Sequence, residues 1–245
     1  MSPEAYLEMA DTENEHWWFR GRRDVLRSIL RRLALVPQTR VLEVGSGTGG
    51  NLDVLAEFGS VSGLEMDANA LSMSVERTSG RYDLRLGRCP DDIPFRDGNF
   101  DLICFLDCLE HIWDDVGTLK RMHALLAPGG SIVVTVPAYQ WLWSAHDEFL
   151  HHRRRYDRAS LARRAHAAGY RIERITYFNT LLFPLAVAAR LFDRLFRRAR
   201  SSGDAVPAEP LNTLLYRIFK CESSWLVGHG LPFGVSLLAV LKADS

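Results

Sequence analysis

The residues with chemistry to offer cluster in three short stretches. In "VLEVGSGTGG", residues 41–50, Glu43 interrupts an apolar run that opens into Gly45, Ser46, Gly47, Thr48, Gly49 and Gly50. Missing Cβ atoms let a backbone turn tightly after a strand and bring its N–H groups against a ligand. In "GLEMD", Glu65 and Met66 stand at the tip of a second apolar run, where a carboxylate accepts hydrogen bonds from ribose hydroxyls. In "FLDCLEH", Asp107 precedes His111 by four residues. That spacing on a helix would put both on one face, an aspartate orienting a histidine as base. A fourth stretch, "AHDEFLHHRRRYD", carries His146, Asp147, His151, His152, Arg153 and Tyr156. It could form a cationic rim for an anionic acceptor, with His146 or His152 as the base.

These residues need elements to hold them. "RVLEV", "VSGLEMD", "YDLRLG", "FDLICFLD" and "SIVVTVPA" read as buried strands, separated by the helical stretches "NLDVLAEF", "ALSMSVERT" and "DDVGTLKRMHALLAPGG". Strands alternating with helices predict a doubly wound α/β sheet. Residues 5–35 read as helical, with Val25, Leu26, Ile29, Leu30 and Leu33 on one face and Pro37 as the stop. Beyond residue 138 the pattern predicts a helix over "RASLARRAHAAGY" capped by Asp157, a strand over "RIERITYFN", two helices and a last strand, "VSLLAVLKA". The expected organisation is an N-terminal helical lid over 1–37, an α/β core over 38–180, a helical insertion over 181–230 and a final core strand in 231–245.

Bulk composition narrows the field. Among 245 residues, 47% are hydrophobic, and 30 Lys and Arg balance 30 Asp and Glu, which argues against a globally basic nucleic-acid binder. Cys89, Cys104, Cys108 and Cys221 form no CxxC pair and read as reduced thiols, so no metal is expected. The acidic N-terminal stretch lacks the apolar segment of a signal peptide, and the longest apolar candidate, Leu181 to Ala189, is too short to span a membrane. Both point to a cytoplasmic protein. The helix over 181–200 carries Phe183, Leu185, Leu191, Phe192, Leu195 and Phe196, with Arg190, Arg194, Arg197, Arg198 and Arg200 at its far end. It suits a homodimer interface, a helix packed on the core, or a peripheral contact with an anionic membrane.

Gly45, Gly47 and Gly50 satisfy GxGxxG, so a nicotinamide oxidoreductase stays open on spacing alone, whereas the absence of a GxxxxGK[ST] lysine removes that mode of nucleoside triphosphate binding. Glu43 suits a ligand bearing an ammonium group more than a pyrophosphate. Taken in order, "LEVGSGTGG", "GLEMD", "DDIPFRDGNFDLI", "LEH" and "LLAPGGSIVVTVP" resemble the motifs of the class I S-adenosylmethionine-dependent methyltransferases, over about residues 38–180. The resemblance implies a Rossmann-like, mostly parallel seven-stranded sheet and S-adenosyl-L-methionine as cofactor. It places Glu43 toward the methionine amino end, the loop of Gly45, Ser46, Gly47, Thr48 and Gly49 along the sugar and methionine, Glu65 on the ribose, Met66 beside the adenine and Asp107 on the methionine arm. At the adenine edge the family's aspartate and its following N–H align with Cys89 and Pro90, with Asp91 the substitute acceptor. Trp17, Trp18 and Phe19 would either wall the acceptor pocket with Arg153 and Tyr156 or dock their helix on the core. The acceptor implied is a small or lipid-like molecule; a non-catalytic nucleoside-binding protein of the same fold is the other reading.

Overall fold

The computed structural model describes the backbone of residues 3–196 and 205–243 and the side chains of 5–192 and 205–243. In chain order the elements are α1 (Pro3–Thr12), α2 (Trp17–Leu30), β1 (Arg40–Val44), α3 (Leu52–Ala56), β2 (Ser60–Glu65), α4 (Ala68–Arg77), β3 (Asp83–Leu86) and β4 (Phe100–Leu106). They continue with α5 (Asp115–Leu125), β5 (Leu126–Pro137), α6 (Ala145–Phe149), α7 (Arg158–Ala167), β6 (Tyr170–Phe178), α8 (Phe183–Phe196), α9 (Glu209–Gly228) and β7 (Ser236–Ala243).

The seven strands order as β3-β2-β1-β4-β5-β7-β6. All neighbours are parallel except at β7, which runs antiparallel to both β5 and β6. This is the expected Rossmann-like sheet. The chain winds outward from β1 to β3, then returns to β4 on the other side of β1. That reversal opens a crevice above the carboxyl ends of β1 and β4, where open α/β sheets bind ligands. The glycine loop, Glu65 and the 107–111 segment leave strands at this edge.

Both sheet faces are covered, which is why the strands read as unbroken apolar runs. Leu42, Ile103, Phe105, Ile132 and Val134 face Leu119, Met122 and Leu161 of α5 and α7. On the other face Val41, Leu102, Cys104, Val133 and Leu238 meet Val25, Leu26 and Ile29 of α2 and Leu215, Phe219 and Leu226 of α9. Residues 181–230 were expected as an insertion. Their second helix, α9, packs along α2, and Gly21 makes this possible: a Cβ there would collide with the Phe219 ring.

Three boundaries differ from expectation. The N-terminal helix is two helices, because the chain breaks at 13–16, where His16 accepts a hydrogen bond from Trp18 N and starts α2. That helix stops at Leu30, well before Pro37, as Arg32 and Leu33 tighten onto Ile29 and Leu30 by three-residue bonds. Downstream, α5 stops at Leu125, and 126–130 join β5 rather than extend the helix, since Leu126 pairs with Phe100. Asp157 caps α7 as expected, accepting from Ser160 N at 2.7 Å. Among the described residues no helix is long and apolar enough to cross a membrane. Of the arginines expected on the 181–200 helix, Arg197, Arg198 and Arg200 and the side chain of Arg194 lie outside the described residues, with the side chains of Leu195 and Phe196.

Phe219 is fully buried, stacking on Trp18 at 5.4 Å and on Phe178 at 6.2 Å between centroids. Phe219→Ala is expected to lower unfolding stability by about 3–5 kcal/mol, measured by chemical denaturation. A loss under about 1 kcal/mol would mean that α9 is not part of the cooperative core.

Candidate active site

A large cleft of about 1350 Å³ lies over the carboxyl edge of the sheet. Its floor is the glycine loop. Gly45 (φ 73°) and Gly47 (φ 54°) hold left-handed backbone that side chains resist, and Gly45 lies so close to Cys108 that a Cβ would clash with its sulfur. Gly45 N and Ser46 N donate to Leu64 O at 2.7 and 3.1 Å, and Gly47 N donates to Glu65 Oε2 at 2.8 Å. The other carboxylate oxygen, Oε1, accepts from Met66 N and Asp67 N at 2.9 Å each, and from the Tyr6 hydroxyl at 3.2 Å. Thus α1 lies over the cleft and rests a hydroxyl on the carboxylate expected to hold a ribose. Thr48 and Gly49 turn away into the loop's own packing: Thr48 donates to Glu13 Oε1 at 2.7 Å, and Gly49 abuts Ser74. Met66 stands exposed on the wall, and Cys89, Pro90 and Asp91 line the same wall. Burial pushes the Cys89 thiol up to about 12, so it meets a ligand as a neutral thiol.

Glu43 is buried behind the loop, away from the cleft surface. Its Oε1 accepts from Asn51 Nδ2 at 2.8 Å, while Oε2 has no partner. Asn51 in turn accepts from Arg22 at 3.4 Å, and Arg22 pairs with Asp107. Arg22 and Asn51 escaped the sequence reading. Arginines of α2 fell on what looked like its solvent face, and only the tertiary fold turns Arg22 toward the loop after β4. Tyr6 and Glu13 escaped it for the same reason.

The proposed helical pairing of Asp107 with His111 does not form. Asp107 takes a left-handed conformation (φ 56°), 109–111 make one turn of 3₁₀ helix, and the next α-helix starts only at Asp115. The Asp107 carboxylate goes to Arg22 instead. Burial, with His152 close by, pulls the His111 imidazole down to about 3, too low for a base working near neutrality. An aspartate–histidine pair exists elsewhere. His152 Nδ1 lies 2.9 Å from Asp147 Oδ1, and Arg155 Nε donates to the same oxygen at 2.7 Å. Burial works against the Asp147 charge, but His152 and Arg155 outweigh it and hold the carboxyl below its ordinary range.

The His111 and His152 rings meet edge to face at 4.7 Å, so the fold brings together two of the expected histidines, with Glu110 beside them. His146, half-buried, and Arg153, whose guanidinium lies 4.4 Å over the Trp113 ring, line the same end of the cleft. Tyr156 does not. Its backbone joins the end of β5 and carries the ring into the core, where its hydroxyl donates to Asp115 at 2.9 Å. Trp17 and Trp18 do both things considered for them: they pack on Phe219 and, with Phe19, present edges to the cleft.

Burial raises the Glu43 carboxyl from its ordinary 4.5 to about 8, against the opposing hydrogen bond from Asn51 and the charge of Arg22. Between those values the folded chain holds a proton that the unfolded chain has lost, so this group's contribution to stability falls as pH rises. Glu43→Gln stays neutral throughout. Its melting temperature relative to the parent is expected to climb between about pH 5 and pH 8 in ligand-free protein. A difference independent of pH would sink the assignment.

Comparison with known proteins fits this geometry. A family model described as a methyltransferase domain matches residues 18–175. A probable S-adenosylmethionine-dependent methyltransferase of Mycolicibacterium smegmatis is 29% identical over 162 residues, covering 65% of this chain and 61% of that one. A ubiquinone/menaquinone biosynthesis C-methyltransferase of Geotalea daltonii is 27% identical, over 54% of this chain and 62% of its own. Phosphoethanolamine N-methyltransferase 2 of Caenorhabditis elegans is 32% identical, over 41% and 24%. The chain thus spans less than two thirds of the length of each of these relatives. Among solved structures, a Haloferax volcanii complex of the Trm112 methyltransferase activator with a methyltransferase superposes with TM-score 0.64 at 18% identity, over 99% of this chain and 95% of that one. The Haemonchus contortus phosphoethanolamine N-methyltransferase 2, solved with S-adenosyl-L-methionine, gives 0.58 at 19%, over 90% and 52%. By the family match over most of its sheet, the chain belongs to the class I S-adenosylmethionine-dependent methyltransferases.

Proposed function

We propose that this protein transfers a methyl group from S-adenosyl-L-methionine to a small-molecule or lipid-like acceptor held in the same cleft. The observation that carries the reading is the size and two-ended lining of that cleft. Its volume of about 1350 Å³ exceeds the roughly 300–1,000 Å³ of single-ligand pockets, leaving room for a cofactor and an acceptor together. One end offers the glycine loop and Glu65; the other offers Glu110, His111, His146, His152 and Arg153. Apolar side chains of α8 and the segment before it, Leu182, Leu185, Ala186 and Ala189, also line the cleft and suit an apolar body.

The residues fit the cofactor. Glu65 is rigidly aimed by backbone N–H groups, and the Tyr6 hydroxyl on Oε1 marks where a ribose hydroxyl would donate instead. When bound, adenosylmethionine supplies an electrophilic methyl on a sulfonium, whose C–S bond breaks as the bond to the acceptor forms. The chain's part is to align the acceptor, exclude water and receive the proton that the acceptor sheds. The lid of α1 and α2 serves the first two; the histidine end serves the third. Arg153 there would favour an acceptor with an anionic head.

Relatives name quinone, sterol and phosphoethanolamine substrates, a range that supports an acceptor with an apolar body or an anionic head without choosing the methylated atom. On α8 and just before it, Leu181, Leu185, Leu191 and Phe192 are about half exposed. That face is where a peripheral membrane contact of 181–200 would form.

Calorimetric titration should give micromolar binding of adenosylmethionine and of its demethylated product, and none of NAD. Binding of NAD alone would return the oxidoreductase reading; cofactor binding with no turnover on quinone, sterol or phosphoethanolamine-like acceptors would favour a non-catalytic binder. Glu65→Ala is expected to weaken adenosylmethionine binding at least tenfold, a loss of about 1.5–3 kcal/mol for hydrogen bonds to a charged group. His152→Asn is expected to lower turnover about 10²- to 10⁴-fold with cofactor affinity kept. Turnover that survives His152→Asn would remove that end of the cleft from the chemistry.

A further inference from the structure

Glu110 presents a contradiction that methyl transfer alone does not resolve. The side chain is fully buried, and neither carboxylate oxygen has a hydrogen-bond partner. A buried carboxylate without donors is among the costliest arrangements in a protein. Beside it the Nδ1 of His111 is also buried and unpartnered. The third neighbour, His152, uses Nδ1 on Asp147 and turns Nε2 toward Glu110, 4.0 Å from Oε1. Three groups able to ligate a cation therefore converge, one ligand atom from each within 4.8 Å of the others.

A single shared proton could serve two of these atoms. A cation serves all three. We propose that Glu110, His111 and His152 form a binding site for a divalent transition-metal ion at the acceptor end of the cleft. Two imidazoles and one carboxylate are a donor set that suits zinc and its neighbours and disfavours magnesium. The surroundings are those of a metal site rather than of a chance cluster. Metal-bound histidines usually hand their other ring nitrogen to a carboxylate or a carbonyl, and here Asp147 holds His152. Arg155 then pins Asp147, so the supporting shell is itself supported. Arg153 N donates to the Glu110 carbonyl at 2.8 Å, fastening the two contributing segments together. Ligands about 2.1 Å from one ion sit roughly 3.4 Å apart, so the trio closes by about an ångström on binding. Because the three residues line the open cleft, the ion would keep a coordination position facing the acceptor. With His152 Nε2 on the ion, the ion takes over that imidazole's part: a hydroxyl ligated there would have its pKa lowered and meet the methyl donor as the alkoxide, its proton released to solvent.

The consequence for the acceptor rests on the methyltransferase reading; the metal site itself does not, and the two are read separately. Protein stripped with a chelator is titrated with Zn²⁺ and, in parallel, with Mg²⁺. One tight zinc site and no magnesium binding are expected. Glu110→Gln and His152→Asn should each weaken zinc more than tenfold, and Asp147→Asn about 10- to 100-fold. His229→Ala, at an exposed histidine outside the cleft, should leave it unchanged. Replacement by Co²⁺ in the unmutated protein should give visible bands of nitrogen and oxygen ligation. That readout does not depend on a variant folding. Zinc binding unaffected by Glu110→Gln in folded protein, or no tight site in the parent, would overturn the proposal. Adenosylmethionine titrated into the same samples reports on the function independently: zinc bound without cofactor sinks the function, and cofactor bound without zinc sinks the metal site.

Discussion

The Glu65 carboxylate is the fastening on which the site is built. It stands at the end of β2, yet it holds the loop after β1 through Gly47 N and its own following turn through Met66 N and Asp67 N. Three backbone donors converge on one side chain. That fixes the glycine loop relative to the second strand and aims the carboxylate into the cleft. Hydrogen bonds to a charged acceptor are the stronger kind, and here they also satisfy N–H groups that the sheet edge would leave open. Tyr6 adds a fourth donor from the lid. The same atom that would read a ribose therefore also senses whether the N-terminal helix is in place.

Around that fastening, charge is distributed by burial. Arg22 descends from α2 between Asp107 and Asn51, and Asn51 passes the contact to Glu43 behind the loop. One cation thus links the lid, the first strand and the fourth. On the far side, Asp147 keeps its charge because His152 and Arg155 both contact it, while Glu110 has no such neighbours in bonding distance and is pushed well above the ordinary carboxylate range by burial and by Asp107. Two carboxylates a few residues of fold apart are thus driven in opposite directions, a pattern that belongs to sites that do chemistry.

The helices divide the labour between rigidity and access. The α2–α9 pair, locked through Gly21 and Phe219, is a structural layer against the sheet. Short α1 and the cleft-facing side of α8 are walls of the cleft, contributing Tyr6 and Met9, and Leu185 and Ala186. A sheet this well buried gives the loops above it a fixed platform, which is why residues far apart in sequence meet there to within bonding distance.

The amino-acid sequence by itself determined the strands, the glycine loop and the acid at the second strand's tip. Each is a local matter: apolar runs covered on both faces, missing Cβ atoms, and a carboxylate at a fixed distance along the chain. It also determined the Asp157 cap and, through ordered motifs, the family. What it could not determine is which polar groups share a space. His111 and Asp107 sit four apart, and that spacing makes neighbours only on a helix; the left-handed turn at Asp107 removed the helix and sent the carboxylate to Arg22. His152 and Asp147 became the pair instead, and Glu110 with its neighbour His111 met His152 from a segment some forty residues away. Tyr156 left the cleft because a bridge to Ala138 carried its ring into the core. Periodicity reports which face of an element is buried, not what lies against it, so those contacts were decided by the tertiary structure alone.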